Sequence, residues 1–121
     1  NDKKIKKNGE PPVISMIENP DILKFLGNDR LNRPALLIGF AAETGDVVEK
    51  AQRKLAKKNC DWLLANDVSV GTNVFGGESN TIHFISRAGT EPWPKMTKKE
   101  VASRIALRIG DHFREGPVNN G

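Results

Sequence analysis

Short apolar runs separated by Gly, Pro and charged breaks give the chain its first outline. Residues 13–17, Val-Ile-Ser-Met-Ile, suit a strand, and the Asn19-Pro20 pair that follows is a helix start. Asn accepts from the free amides of a first turn, and Pro fills the first helical position. Ile22, Leu23 and Leu26 then lie on one helical face, with Gly27 as the stop. Residues 35–40, Ala-Leu-Leu-Ile-Gly-Phe, lack polar alternation, which predicts a strand covered on both faces and central in a parallel sheet. A helical period from about residue 45 to residue 58 turns Val47, Val48, Ala51 and Leu55 inward, and Asp61-Trp62-Leu63-Leu64-Ala65 predicts a second buried strand.

Strand, helix and strand in this order form a βαβ unit, whose right-handed crossover makes the two strands parallel. Their carboxyl ends then share one edge, where ligands of open α/β sheets bind. That edge carries Phe40-Ala41-Ala42-Glu43-Thr44 and Asn66-Asp67-Val68-Ser69. Beyond a Gly- and Asn-containing loop at 71–77, the alternation Thr81-Ile82-His83-Phe84-Ile85 predicts an antiparallel edge strand. Residues 89–94 read as a turn, and Thr97 with Glu100 has capping-box spacing. The helix that follows carries an apolar stripe of Val101, Ile105 and Ile109, with Ala102, Ala106 and Phe113 beside it. Residues 1–12 read as a mobile basic flap and 116–121 as a frayed tail, leaving 13–115 as the folded α/β part.

A length of 121 residues allows one domain. A mean hydropathy of −0.49, with no apolar run near the ~18 residues of a membrane span, excludes a transmembrane helix. The chain lacks an initial Met and a signal-peptide pattern, so an internal piece of a cytoplasmic protein is expected. Cys60, without a second Cys, forms neither an internal disulfide nor a metal cluster, and reads as a half-buried thiol. Nineteen basic against 15 acidic residues favour phosphate-bearing partners. The basic clusters fall on separate elements without an RNA-recognition signature, which argues against nucleic acid.

No P-loop or GxGxxG is present, and His83 and His112 lack metal-ligand spacing. His83 reads as outward-facing, and His112 as a cation near a helix C-terminus. Ser69, His83 and Asp67 would make a triad on paper, but no nucleophile elbow supports it. Lys54 and Lys58 stand four residues apart and share a helix face. They either approach one anion together or complement the helix dipole. Glu43 and Asp67 on the ligand edge would hold a divalent ion, or Glu43 would cap the next helix or pair with a lysine, while Asn66-Asp67 would close a turn.

Four strings in order, Lys4-Ile5-Lys6-Lys7, Asn19-Pro20-Asp21-Ile22, Gly39-Phe40-Ala41-Ala42-Glu43-Thr44 and Ala65-Asn66-Asp67-Val68-Ser69, together resemble the bacterial phosphopantothenate-cysteine ligase family. Lys54 and Lys58 between them, Phe75-Gly76, Ser79-Asn80 and the closing helix extend the similarity to nearly the whole chain. The resemblance implies a Rossmann-like three-layer α/β fold, with a mainly parallel sheet and an antiparallel edge hairpin, present as its C-terminal half.

It further implies that CTP activates the carboxylate of 4'-phosphopantothenate as an acyl-cytidylate, from which the amine of cysteine displaces CMP in coenzyme A biosynthesis. By motif, Lys4 would belong to a flap closing on the triphosphate and act catalytically, helped by Lys6 and Lys7. Pro20, Asp21, Ile22 and Leu23 would line the nucleotide site beside Phe40, with Lys54 and Lys58 as further contacts. Mg²⁺ would accompany the nucleotide, with no metal ligand assigned. FMN would belong only to a fused decarboxylase. The family's Gly-rich loop and its catalytic Asn would lie in a missing N-terminal half, so this chain alone is expected to be inactive. A homodimer is implied, with 81–85 as a pairing edge, and the alternative is a non-catalytic nucleotide-binding or dimerisation module.

Overall fold

The computed structural model of the protein describes residues 11–68 and 80–115, so the flap up to residue 10, the loop at 71–77 and the tail at 116–121 lie outside the described residues. Strand β1 spans Ile14–Ile17 and leads into α1, Pro20–Gly27. The Asn19 side chain accepts from the Asp21 and Ile22 amides at 2.8 and 3.3 Å, which is why the helix begins where Asn precedes Pro. Strand β2, Leu36–Glu43, is followed by α2, Val47–Lys58, and by β3, Trp62–Asp67. Gly45 and Asp46 stand in the left-handed region, so α2 starts two residues later than the helical period alone suggests.

The sheet has the order β1-β2-β3-β4-β5, where β4 is Ile82–Ser86 and β5 is Gly89–Pro92. The first three strands are parallel and the last two antiparallel. Two crossovers of one hand, stepping the same way across a sheet, put their helices on the same face. α1 and α2 accordingly cover one side, with Leu23, Ala51 and Leu55 packed in one cluster with Leu37, Leu63, Ala65 and Ile85. Helix α3, Lys98–Glu115, covers the other side. Its Val101 and Ile105 pack in one cluster with Leu36, Ile38, Trp62, Leu64, Phe84 and Trp93. The result is a three-layer α/β/α arrangement with a mixed sheet, as the fold class required.

Several expectations change in detail. β2 is an interior strand as expected, but β3 occupies the middle of the five. The strand at 81–85 is not an edge: residues 89–92, expected as a turn, pair with it through the Arg87-Ala88 turn and take the edge instead. Gly-Thr-Glu-Pro carries no apolar alternation, so nothing in its pattern marks it as a strand. Its pairing supplies what its composition lacks. With β4 covered on both sides, the expected pairing edge for a dimer is gone from that strand. Asn66 and Asp67 sit within β3 rather than in a turn. His83 lies on the α2 side of the sheet and is half-buried, because β4 is interior and both its faces are covered. Cys60 is fully buried, and burial pushes its thiol up to about 11, so it stays protonated near neutrality. Ala102 and Ala106 are exposed, since the inward stripe of α3 runs through Val101, Ile105 and Ile109 only.

Thr97 and Glu100 form the reciprocal capping box, with the Thr97 amide donating to Glu100 Oε1 at 2.9 Å and the Glu100 amide donating to Thr97 Oγ1 at 3.1 Å. α3 also grips β5. Arg108 donates to Glu91 Oε1 at 2.8 Å, the Trp93 indole donates to Glu91 Oε2 at 3.1 Å, and Arg104 and Arg108 lie over the Trp93 and Phe84 rings. The Arg108 hydrogen bond outweighs the opposing cost of burial and, with the Arg108 charge, Trp93 and Arg104 assisting, holds the Glu91 carboxyl below its ordinary range. A depressed pKa in the folded state stabilises the fold above the unfolded carboxylate's pKa and is lost as pH falls through the lowered value. Glu91→Gln should therefore narrow the gap in stability between pH 7 and pH 3, a change read from urea midpoints at the two pH values. An unchanged gap would contradict the assignment.

Candidate functional site

Parallel pairing brings the ends of β2 and β3 into register, Ala42 opposite Asn66 and Glu43 opposite Asp67. Beside this edge lies a cleft of about 450 Å³. Its walls come from α1 through Pro20 and Leu23, from β2 through Phe40, Ala41 and Ala42, and from α2 through Lys54 and Lys58. β3 and β4 complete it with Leu63, Leu64, Asn66 and Ile82, and Glu18 stands at the end of β1. An apolar hollow with a few polar groups at a sheet's carboxyl edge is the usual form of a small-molecule site.

Of the residues expected at a site, the cleft gathers Pro20, Leu23, Phe40, Lys54 and Lys58. Asp21 and Ile22 are exposed and do not line it, because one helical turn can aim only part of a four-residue string at one wall. Asp21 borders a separate open hollow with Lys24 and Phe25. Lys4, Lys6 and Lys7 lie outside the described residues. Glu18, Leu63, Leu64 and Ile82 were not singled out beforehand. Glu18 carries a readable signal, being the residue between β1 and the Asn19 cap on the ligand edge, whereas Ile82 has none because it arrives from a strand running the opposite way.

The two lysines differ in setting. Lys54 Nζ is 2.6 Å from Glu43 Oε2, while Lys58 has no ion-pair partner among the described residues. Lys57, between them, is exposed and does not line the cleft. Of the open alternatives for Glu43, pairing with a lysine is the one realised. Glu43 does not cap α2, whose first turn has no side-chain cap. Glu43 is thereby taken up, and among the described residues no three metal-ligating side chains converge.

A second hollow lies at the start of α2, between Val47, Gln52, Asp67 and His83. The buried Nδ1 of His83 has no hydrogen-bond partner there. Ser69, the third member of the paper triad, lies outside the described residues. His112 is exposed and meets Trp62 and Phe113 edge to face. No helix among the described residues is long and apolar enough to cross a membrane.

Comparison with known proteins agrees with this architecture. The coenzyme A biosynthesis bifunctional protein CoaBC of Haemophilus influenzae is 36% identical over 114 residues, which cover 94% of this chain and 28% of that protein. CoaBC of Escherichia coli K12 is 37% identical over 108 residues, or 87% of this chain and 26% of the relative. The chain thus spans little more than a quarter of the length of these relatives. Among solved structures, the C-terminal domain of CoaBC matches with a TM-score of 0.62 at 37% identity, covering 79% of this chain and 46% of that domain. A DNA/pantothenate metabolism flavoprotein from Streptococcus pneumoniae has the same fold, with a TM-score of 0.58 at 20% identity. The family model for the C-terminal domain of DNA/pantothenate metabolism flavoproteins matches residues 1–112, and the chain belongs to that family.

Proposed function

We propose that this chain is the C-terminal part of a phosphopantothenate-cysteine ligase of coenzyme A biosynthesis, and that its cleft receives part of a CTP molecule. The observation that carries this reading is the convergence of Lys54, Lys58, Phe40, Pro20 and Leu23, from three separate elements, on one hollow at the sheet's carboxyl edge. The relatives' role in coenzyme A biosynthesis supports it. In the reaction, a carboxylate oxygen of 4'-phosphopantothenate attacks the α-phosphorus of CTP, forming the acyl-cytidylate and releasing pyrophosphate. The cysteine amine then attacks the activated carbonyl carbon, the acyl–oxygen bond breaks, and CMP leaves. Positive charge beside the nucleotide stabilises the charge that develops on the phosphate oxygens.

Within this scheme Lys58 supplies a cation with no ion-pair partner among the described residues, Phe40 and Leu23 supply apolar surface for the nucleoside, and Lys4 acts from the flap. Mg²⁺ would come with the CTP phosphates, while Glu43 is taken up by Lys54. FMN would serve only a fused decarboxylase. The missing half of the domain would dock on the β1 side, where among the described residues one edge of the sheet is unpaired and Val13, Met16 and Phe25 are 63%, 46% and 68% exposed. A homodimer in the cytoplasm remains part of the proposal. The alternative, a non-catalytic nucleotide-binding module, would bind CTP without turnover.

Calorimetric titration of CTP into the full-length protein carrying this segment tests the reading. Lys58→Ala and Lys4→Ala should each raise Kd by roughly tenfold, the effect of losing about one charge-assisted contact. Unchanged affinity in both would overturn the site assignment.

A further inference from the structure

Glu43 has no part in the proposed reaction, yet it is the one buried charged residue among those described, at 8% exposure. It ends β2 in register with Asp67, and its backbone oxygen accepts the Val68 amide at 2.9 Å, so strand pairing fixes where its side chain begins. A carboxylate this far out of water is costly unless it is paired. Its partner is Lys54, with Nζ 2.6 Å from Oε2. At that distance the attraction of opposite charges holds the two together.

Exposure is unequal across the pair, 9% for the Glu43 side chain and 42% for that of Lys54. One end is therefore an anchor set in the sheet and the other is a cation presented to the cleft that Lys54 lines. A lysine stem samples many rotamers when free, and ordering such a side chain is part of the cost of binding. We propose that Glu43 is a positioning residue, which holds the Lys54 ammonium on the cleft wall ahead of nucleotide binding. The proposal rests on the nucleotide reading of the cleft.

The geometry makes an unusual sign prediction. With Lys54 present, Glu43→Gln frees the ammonium and weakens binding. With Lys54 replaced by alanine, Glu43 stands behind an empty position as an unpaired negative charge beside an anionic ligand, and Glu43→Gln then improves binding. A residue that only supports the fold would add its own loss in both backgrounds.

The test is a double-mutant cycle in the full-length protein carrying this segment, with CTP affinity read by calorimetry for wild type, Glu43→Gln, Lys54→Ala and the double variant. Glu43→Gln should raise Kd about 3- to 10-fold, the ordering cost of one long side chain. Lys54→Ala should raise it further, and the double variant should bind more tightly than Lys54→Ala alone. Wild-type affinity in Glu43→Gln, or a double variant weaker than Lys54→Ala, overturns the positioning role and leaves the nucleotide reading standing. Absence of CTP binding by the wild type overturns both. If Glu43→Gln does not fold, side-chain NMR of the wild type decides. A held Lys54 ammonium, distinct from the averaged signal of the exposed Lys57, supports the proposal, and averaged signals for both lysines overturn it.

Discussion

Gly27→Ala should lower the stability of the fold by about 3–5 kcal/mol, the sum of an overpacked contact and two hydrogen bonds displaced with it. A Cβ at Gly27 would stand 2.1 Å from the Lys58 carbonyl oxygen and 2.8 Å from that of Asn59. Both are backbone atoms at the end of α2, so no side chain can swing away to make room. The end of α1 must retreat from the end of α2. That movement pulls on the Gly27 carbonyl, which accepts from Asn59 Nδ2 at 2.6 Å and from Arg33 Nε at 3.3 Å. Against a typical stability of about 5–15 kcal/mol, the loss is a large fraction of the whole. Urea unfolding reads it as a lower midpoint at unchanged slope. Gly45→Ala is the control, because a Cβ there meets nothing within 4 Å and faces only a left-handed φ of 69°. A Gly27→Ala midpoint no lower than that of Gly45→Ala would refute the packing argument. Since α1 carries Pro20 and Leu23 to the cleft and α2 carries Lys54 and Lys58, the same contact also sets the spacing of two cleft walls.

Gly27 shows what a sequence conveys and what it withholds. Its place after Leu23 and Leu26 marks the end of a helix, yet it is the last residue of α1, and its lack of a side chain serves the approach of another helix 31 residues further on. Local signals are read well where their cause is local. Asn19 before Pro20, the apolar run at 36–38 and the Thr97/Glu100 pair each contain the physics that forms them. β5 does not: Gly-Thr-Glu-Pro becomes a strand because β4 offers it an edge and because Arg104 and Arg108 of α3 hold Glu91. The cleft divides in the same manner. Helical spacing puts Lys54 and Lys58 on one face, but only the folded arrangement tells them apart, by pairing the first with Glu43 and leaving the second without an ion-pair partner among the described residues. Ordered motifs convey the family, and composition and periodicity convey a basic α/β unit.

Asp61→Ala should cost about 2–4 kcal/mol, the sum of a stranded buried amide and a partly exposed ion pair. Asp61 Oδ2 accepts from the Leu37 amide at 2.8 Å and from Arg33 Nη1 at 3.2 Å. Leu37 is fully buried in an interior strand, so its amide has no water to replace the lost acceptor. Arg33 is the second casualty. Its guanidinium also donates to the carbonyls of Gly27, Pro34 and Asn59, tying the end of α1, the entry to β2 and the end of α2 into one knot. Asn59 extends that knot to the β4–β5 turn through Arg87, at 2.8 Å. Asp61→Asn keeps an oxygen for the Leu37 amide while removing the charge that faces Arg33, and should recover more than half of the loss. Hydrogen exchange separates the two contributions. The Leu37 amide should exchange faster in Asp61→Ala than in Asp61→Asn, even where global stability is matched with a little urea. Equal destabilisation by the two substitutions would mean that the charge, not the buried amide, dominates. A loss below about 1 kcal/mol in Asp61→Ala, no more than one ordinary hydrogen bond, would mean that the knot does not hold the helix ends as described.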